Sequence, residues 1–200
     1  MARQDETVRQ QKKSKIIEAA VEVFAEKGFY NANVRDVARR AGVADGTIYV
    51  YFKGKDDLLI SLFEQKMENI LIDFNHKLEK ITDPLHRLQE FVRTYFEMIK
   101  NDIHLAEVFQ VELRQSSKFL KDYHNQKFLD FLNIIATILK DGIDIGFFRE
   151  NINIDVAKIM IFGAIDEVAR QWILGADDKY SLPEASEQVS YTLIHGFIRA

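Results

Sequence analysis

Apolar residues recur along this chain at helical spacing. In the first segment Ile16, Ala20, Val23 and Phe24 make a single stripe that stops at Gly28. Leu59, Leu62, Phe63, Ile70, Phe74 and Leu78 trace a long helix over Lys55–Lys80. Asp83-Pro84 opens the next, since proline is tolerated at the first helical position behind an aspartate cap; Leu88, Phe91, Val92, Tyr95, Phe96 and Ile99 line its face. Further helices are expected over Ile103–Gln115, Lys118–Ile145, Asp155–Leu174 and Leu182–Ile198, the last two parted by Gly175 and Asp177-Asp178. No segment combines strand-like Val/Ile/Thr alternation with the Asn-Gly or Asp-Gly turn of a hairpin, and no internal repeat or linker stands out. The pattern predicts an all-α chain of about nine helices.

The densest stretch is residues 33–59, NVRDVARRAGVADGTIYVYFKGKDDLL. Asn33 with Asp36 three residues on is a capping pair that starts a short helix. Val34, Val37, Ala38 and Ala41 bury one face of it, and Gly42 supplies the left-handed residue that ends it. Val43 plugs the turn. A second short helix opens at Ala44-Asp45 and turns Ile48 and Phe52 inward. Two such helices about a glycine turn form a helix-turn-helix, whose second helix enters the DNA major groove by its N-terminal residues. That geometry points Thr47, Tyr49 and Tyr51 outward beside the Gly46 amide and Lys55. A pair of helices that merely braces a bundle would not need two outward tyrosines and a threonine beside Lys53 and Lys55.

Charge supports this polarity. The 200-residue chain has a net charge of −4, yet residues 1–55 are +4 and the remainder −8. A basic head on an acidic body suits a head that meets a polyanion, although solvated helix faces would give the same tally. Cysteine is absent, which removes disulfides, thiolate metal sites and cysteine nucleophiles and fits a reducing cytoplasm. The polar run Met1–Lys15 predicts no secretory leader, and apolar runs such as Ile159–Ile165 fall far short of the ~20 residues that span a bilayer.

Three fragments, "AEKGF" (Ala25–Phe29), "DVARRAGVADGTIYVYF" (Asp36–Phe52) and Lys55 with Leu58-Leu59, resemble the DNA-binding signature of the TetR family of bacterial transcriptional regulators. The chain departs from that signature at Ala44, where the family often caps with Ser or Thr, and at Asn31-Ala32-Asn33. The resemblance implies a three-helix DNA-binding head (residues 1–54) and a helical ligand-binding and dimerisation body (55–200). Phosphate contacts are expected from Arg9, Lys12, Lys13, Arg35, Tyr49, Lys53 and Lys55, with Asn33 and Asp45 at the helix starts and Gly46, Thr47 and Tyr51 near the bases. One head makes too few contacts for tight specific binding, so a symmetric dimer on an inverted-repeat double-stranded operator is expected.

The C-terminal pair of helices is apolar on more than one side. Ile159, Phe162, Ile165, Val168, Ala169 and Trp172 cover a wide arc, as do Val189, Leu193, Ile194 and Phe197, which asks for a second partner. The resemblance implies a four-helix interface between copies, with Ile159, Val168, Trp172, Val189, Leu193 and Phe197 in it; a fully buried monomer core is the alternative.

Within the body, the polar islands "VFQVELRQS" (Glu112, Arg114, Gln115) and "IFGAIDE" (Asp166) interrupt apolar helices. A carboxylate facing inward needs a partner, and an ion pair of Arg114 or Arg170 with Asp166 or Glu112 answers that need. These islands, with the head, are similar to the FadR-type repressors of the TetR family, which respond to long-chain acyl-CoA and control fatty-acid breakdown. That similarity implies an apolar tunnel among Phe109, Phe128, Phe131, Leu132, Ile135, Phe162 and Ile165, with cations such as Arg93, Lys118, Lys121 or Arg170 at its mouth for the CoA phosphates. Ligand would act by favouring a body conformation that misplaces the heads, with the helix over Lys55–Lys80 as lever. The rival within the same fold is a repressor of efflux or another pathway, induced by a different hydrophobic or cationic molecule countered by Glu112 or Asp166. An architectural DNA binder would need neither cavity nor inverted repeat. Enzyme chemistry finds no support: the five histidines are scattered, the nearest approaches to a di-iron pattern being Asp73-x-x-His76 and Asp83-x-x-His86, and no phosphate loop, metal site or nucleophile elbow appears. No cofactor is expected.

Overall fold

The computed structural model describes residues 2–112, 125–175 and 179–198. They form nine α-helices: α1 (Ala2–Lys27), α2 (Val34–Ala41), α3 (Asp45–Tyr51), α4 (Lys55–Leu78), α5 (Pro84–Asn101), α6 (Ile103–Glu107), α7 (Gln126–Asp144), α8 (Ile154–Ile173) and α9 (Leu182–Phe197). Among the described residues there is no strand, only an isolated antiparallel bridge between Phe148 and Ile198. Two boundaries differ from the periodicity. The helix expected over Ile103–Gln115 is α6 followed by a π-helical turn, Val108–Glu112. Of the helix expected over Lys118–Ile145, residues 118–124 lie outside the described residues, and α7 starts at Gln126, where the Asn125 side chain accepts the Phe128 amide and caps it.

The described residues pack into two compact units, the first of 2–66 and 104–112, the second of 67–103, 125–175 and 179–198. In the first, α1 lies on α2 and α2 on α3. Ile16, Ile17, Phe24, Val37, Ile48, Phe52 and the opening turns of α4 (Leu58, Leu59, Leu62) close the core. Asn33 and Asp36 form the full capping box of α2, and Gly42 ends it at φ +64°. Only glycine adopts that φ readily, which is why the tight turn falls there.

In the second unit α5 packs on α9, α7 and α8, and α8 packs on both α7 and α9. Phe74, Phe91 and Phe131 form a triangle of rings with centroids 5.0 to 5.3 Å apart, an arrangement that adds to their burial through edge-to-face contact. Gly142 ends the buried face of α7. A Cβ there would lie 2.1 Å from the fully buried Phe148 ring, so the close approach requires glycine.

Candidate nucleic-acid interface and effector site

The outer surface of α3 is the exposed side of the head. Tyr49 is 62% and Val50 67% exposed, Thr47 and Tyr51 are half-buried, and a methyl added at Gly46 would meet nothing within 4 Å. Val50 escaped the sequence reading, although its i, i+4 relation to Gly46 places it on the open stripe. Ala44 caps α3 without a side-chain bond. Asp45 occupies the first helical position, where a negative charge suits the helix dipole, and meets Arg35 at 3.3 Å across an exposed pair. Such a pair holds weakly, so Arg35 is available to another anion. Arg9, Lys12 and Lys53 are exposed, and Lys13 stands 6.0 Å over the Phe52 ring.

Three residues in or next to the head serve the fold instead. Lys55 Nζ donates to the carbonyls of Phe29 (2.6 Å), Ala32 (2.9 Å) and Tyr30 (3.1 Å) and sits 4.5 Å from the Phe29 ring. The expected phosphate contact at Lys55 is therefore corrected: the turn after α1 carries carbonyls with no helical N–H partner, and the ammonium neutralises them. The Asn33 side-chain oxygen is spent on its cap. Arg40 bridges α2 to α1 through Glu22 (2.6 Å) and Glu26 (2.6 and 2.9 Å). That pairing raises the Arg40 pKa and holds the Glu26 carboxyl below its usual range, the Arg40 hydrogen bond being the main cause.

The residues expected around an acyl chain fall in both units. Phe109, half-buried, packs on Phe63 at 5.1 Å in the first. In the second, Phe131, Leu132, Ile135 and Ile165 are buried, while Phe128 and Phe162 are half-buried and meet edge to face at 4.9 Å. Tyr95 joins this cluster, 6.3 Å from Phe162 and 6.4 Å from Phe131. Asp166 is 8% exposed, and the Tyr95 hydroxyl donates to its Oδ1 at 2.9 Å. A tyrosine hydroxyl thus meets the inward carboxylate, because α5 brings Tyr95 to α8. Arg170 pairs with Glu167 one turn back (2.5 and 2.8 Å), which, with the nearby Asp166 charge, raises its pKa. Arg93, expected at the tunnel mouth, is held by Glu90 and Glu97. Glu112 ends the π turn; Arg114, Gln115, Lys118 and Lys121 lie outside the described residues.

One flank of α8 presents apolar side chains to solvent: Val156, Ile159 and Met160 are each more than half exposed. The i, i+3, i+4 spacing of the three could have marked Val156 and Met160 too. Val168 and Trp172 on α8, and Val189 and Leu193 on α9, are half-buried. Phe197 is corrected from interface to core: it is buried, its ring lies 6.5 Å from that of Phe148, and its carbonyl accepts the Arg149 amide. Among the described residues no group of His, Asp or Glu could hold a metal ion, and no described helix is long and apolar enough to cross a membrane.

A helix-turn-helix head followed by a helical body is the build of a DNA-binding transcriptional regulator, and comparison with known proteins agrees. The family described as "Bacterial regulatory proteins, tetR family" matches residues 16–62, and "YsiA-like protein, C-terminal region" matches 63–196. The chain belongs to the TetR family of transcriptional regulators. It is 40% identical to the fatty acid metabolism regulator protein of Bacillus subtilis over 181 residues, covering 90% of this chain and 93% of that one. The crystal structure of B. subtilis FadR in complex with stearoyl-CoA superposes with a TM-score of 0.85 at 40% identity, covering 92% of this chain and 98% of that one. The fatty acid degradation regulator FadR of Bacillus halodurans follows at 0.84 and 39%, with the same coverage.

Proposed function

We propose that this regulator represses fatty-acid metabolism genes as a homodimer on an inverted-repeat operator and is released by long-chain acyl-CoA. The observation that carries the reading is the 40% identity, across nearly the whole chain, to a protein whose crystal structure holds stearoyl-CoA. The ring cluster of Phe128, Phe131 and Phe162 supplies apolar surface of the kind an acyl chain needs.

Residues 1–54 act as the DNA-binding domain and 55–200 as the ligand-binding and dimerisation domain. Arg9, Lys12, Lys13, Arg35 and Lys53 meet phosphates, while the open stripe of Gly46, Tyr49 and Val50, flanked by Thr47 and Tyr51, faces the bases. The stripe is poor in bidentate donors, so methyl contacts and single hydroxyl bonds do the reading, and two heads are needed for useful specificity. The exposed Val156, Ile159 and Met160 flank of α8, continued by Val168, Trp172, Val189 and Leu193, meets its symmetry mate. Acyl-CoA binds better to the conformation in which the two heads no longer match the operator spacing, so ligand and DNA oppose each other by linkage. The cysteine-free chain works in the cytoplasm.

The test is a fluorescent operator duplex, selected from a randomised pool, titrated with the protein and then with stearoyl-CoA. The expected result is an enriched inverted repeat and a fall in anisotropy as ligand saturates, with operator affinity lowered roughly 5- to 150-fold. Unchanged anisotropy at saturating stearoyl-CoA rejects this effector. Enrichment of a single half-site by a monomer rejects the dimer.

A further inference from the structure

Between α5 and α9, within the second unit, lies an open groove of about 810 Å³ that neither operator binding nor the ring cluster uses. Its walls run from Leu85 to Lys100 on α5 and from Leu182 along α9 to Ile198. At 1.5 Å rise per residue that is roughly 20 Å of length. The volume falls in the range of small-molecule sites, and the shape suits an extended chain. Leu85, Phe96, Leu182, Ile194 and Ile198 make an apolar floor.

Polar groups open into this floor at defined places. Ser190 is only 8% exposed, and its hydroxyl has no hydrogen-bond partner among the described residues. The hydroxyl keeps its contact with solvent, and the groove that Ser190 lines is the side from which a ligand oxygen can replace water on it. Ser190 lies eight residues from either end of the α9 wall, hence midway along the groove. Lys100 lies at one end of the α5 wall, and its ammonium has no ion-pair partner among the described residues, whereas Arg93 is tied to Glu90 and Glu97. Tyr191 and His195 stack at 3.8 Å along one edge, the His195 ring held by the Tyr191 carbonyl at 2.8 Å. The lining sets Arg93 and Lys100 against Glu97 and Glu187, so it carries no net charge to attract a polyphosphate. One free cation at the end, one free hydroxyl in the middle and an apolar floor throughout select a ligand of matching pattern.

We propose that the α5–α9 groove is a second ligand site, which binds a long-chain carboxylate bearing a hydroxyl or oxo group near mid-chain. Its carboxylate meets Lys100, its alkyl segments cover the floor, and its mid-chain oxygen bonds to Ser190. The groove occupies the flank of α9 that carries Ser190 and Ile194; Val189 and Leu193, assigned above to the dimer, lie on another side of that helix.

The experiment is calorimetric titration of 10-hydroxystearate, and separately stearate, into full-length protein already saturated with stearoyl-CoA. One further equivalent per chain is expected, the hydroxy acid binding about tenfold tighter than stearate. Ser190→Ala should erase that preference, and Lys100→Met should weaken both acids about tenfold. Ser186→Trp, which places an indole on the groove wall, should abolish binding while leaving the helical circular dichroism intact. Absence of the extra equivalent, or binding that neither Ser190→Ala nor Lys100→Met alters, overturns the proposal. If stearoyl-CoA does not load at all, the effector reading fails separately, and the same titrations on unloaded protein decide the groove by their dependence on Ser190 and Lys100.

Discussion

Lys55 separates two roles that predict different measurements. Its ammonium donates three charge-assisted hydrogen bonds, two to part-buried carbonyls and one to the exposed carbonyl of Tyr30, and adds a contact with the Phe29 ring. Hydrogen bonds to charged groups contribute ~1.5–3 kcal/mol each. Three on one ammonium are not additive, and water can replace the exposed one. Lys55→Met keeps the stem and removes the charge, and should cost about 3 kcal/mol of the stability of the head. The assay is urea unfolding followed by circular dichroism, paired with operator affinity measured across a salt series. The expected result is a lower unfolding midpoint, with the slope of log affinity against log salt unchanged for protein that is still folded. If Lys55 held a phosphate, the slope would flatten by about 0.9 while the midpoint stayed put. That second outcome would refute the structural role.

Other expectations follow from single contacts. Gly142→Ala drives a methyl to within 2.1 Å of a Phe148 ring atom, an overpacking cost of ~1–3 kcal/mol. Thermal unfolding should show it, and a Gly142→Ala/Phe148→Leu double variant should recover part of the loss. Tyr95→Phe removes the hydroxyl that Asp166 accepts and should destabilise the protein by ~1–3 kcal/mol, whereas Asp166→Leu combined with it should cost less than the two singles summed. Lys27 at 2.7 Å and the Asn33 amide hold the Asp36 carboxyl below its usual 3.8. The stabilisation is therefore fully present above the ordinary aspartate range and lost as pH falls through the lowered value. An NMR titration should place Asp36 below 3.8 in the wild type and closer to it in Lys27→Met. Val50→Glu, on the open stripe of α3, should abolish operator binding with no change in unfolding midpoint, since its side chain is already solvated.

The capping box at Asn33–Asp36, the left-handed Gly42, the proline start of α5 and the long apolar stripes are decided within a few residues of sequence. Each is a local rule of backbone geometry or helical period, so the all-α fold and the helix-turn-helix were legible before any tertiary contact was known. The outward tyrosine of α3 was legible for the same reason, because the inward Ile48 and Phe52 fix the phase of a seven-residue helix. What a charged side chain meets is a different matter. Lys55 reaches carbonyls about 25 residues away, Arg40 reaches across to α1, and Tyr95 finds Asp166 at a separation of 71 residues. Sequence marked Asp166 as a carboxylate in need of a partner and gave Lys55 to phosphate, yet the choice among partners depends on which helix lies alongside, and no periodicity carries that. Phe197 and Ile159 show the same division: both are apolar at helical spacing, and only the packing of α9 and α8 on their neighbours left the first in the core and the second in solvent. Local backbone preferences set the helices; long-range burial, which sums over elements distant in the chain, assigned each side chain its place.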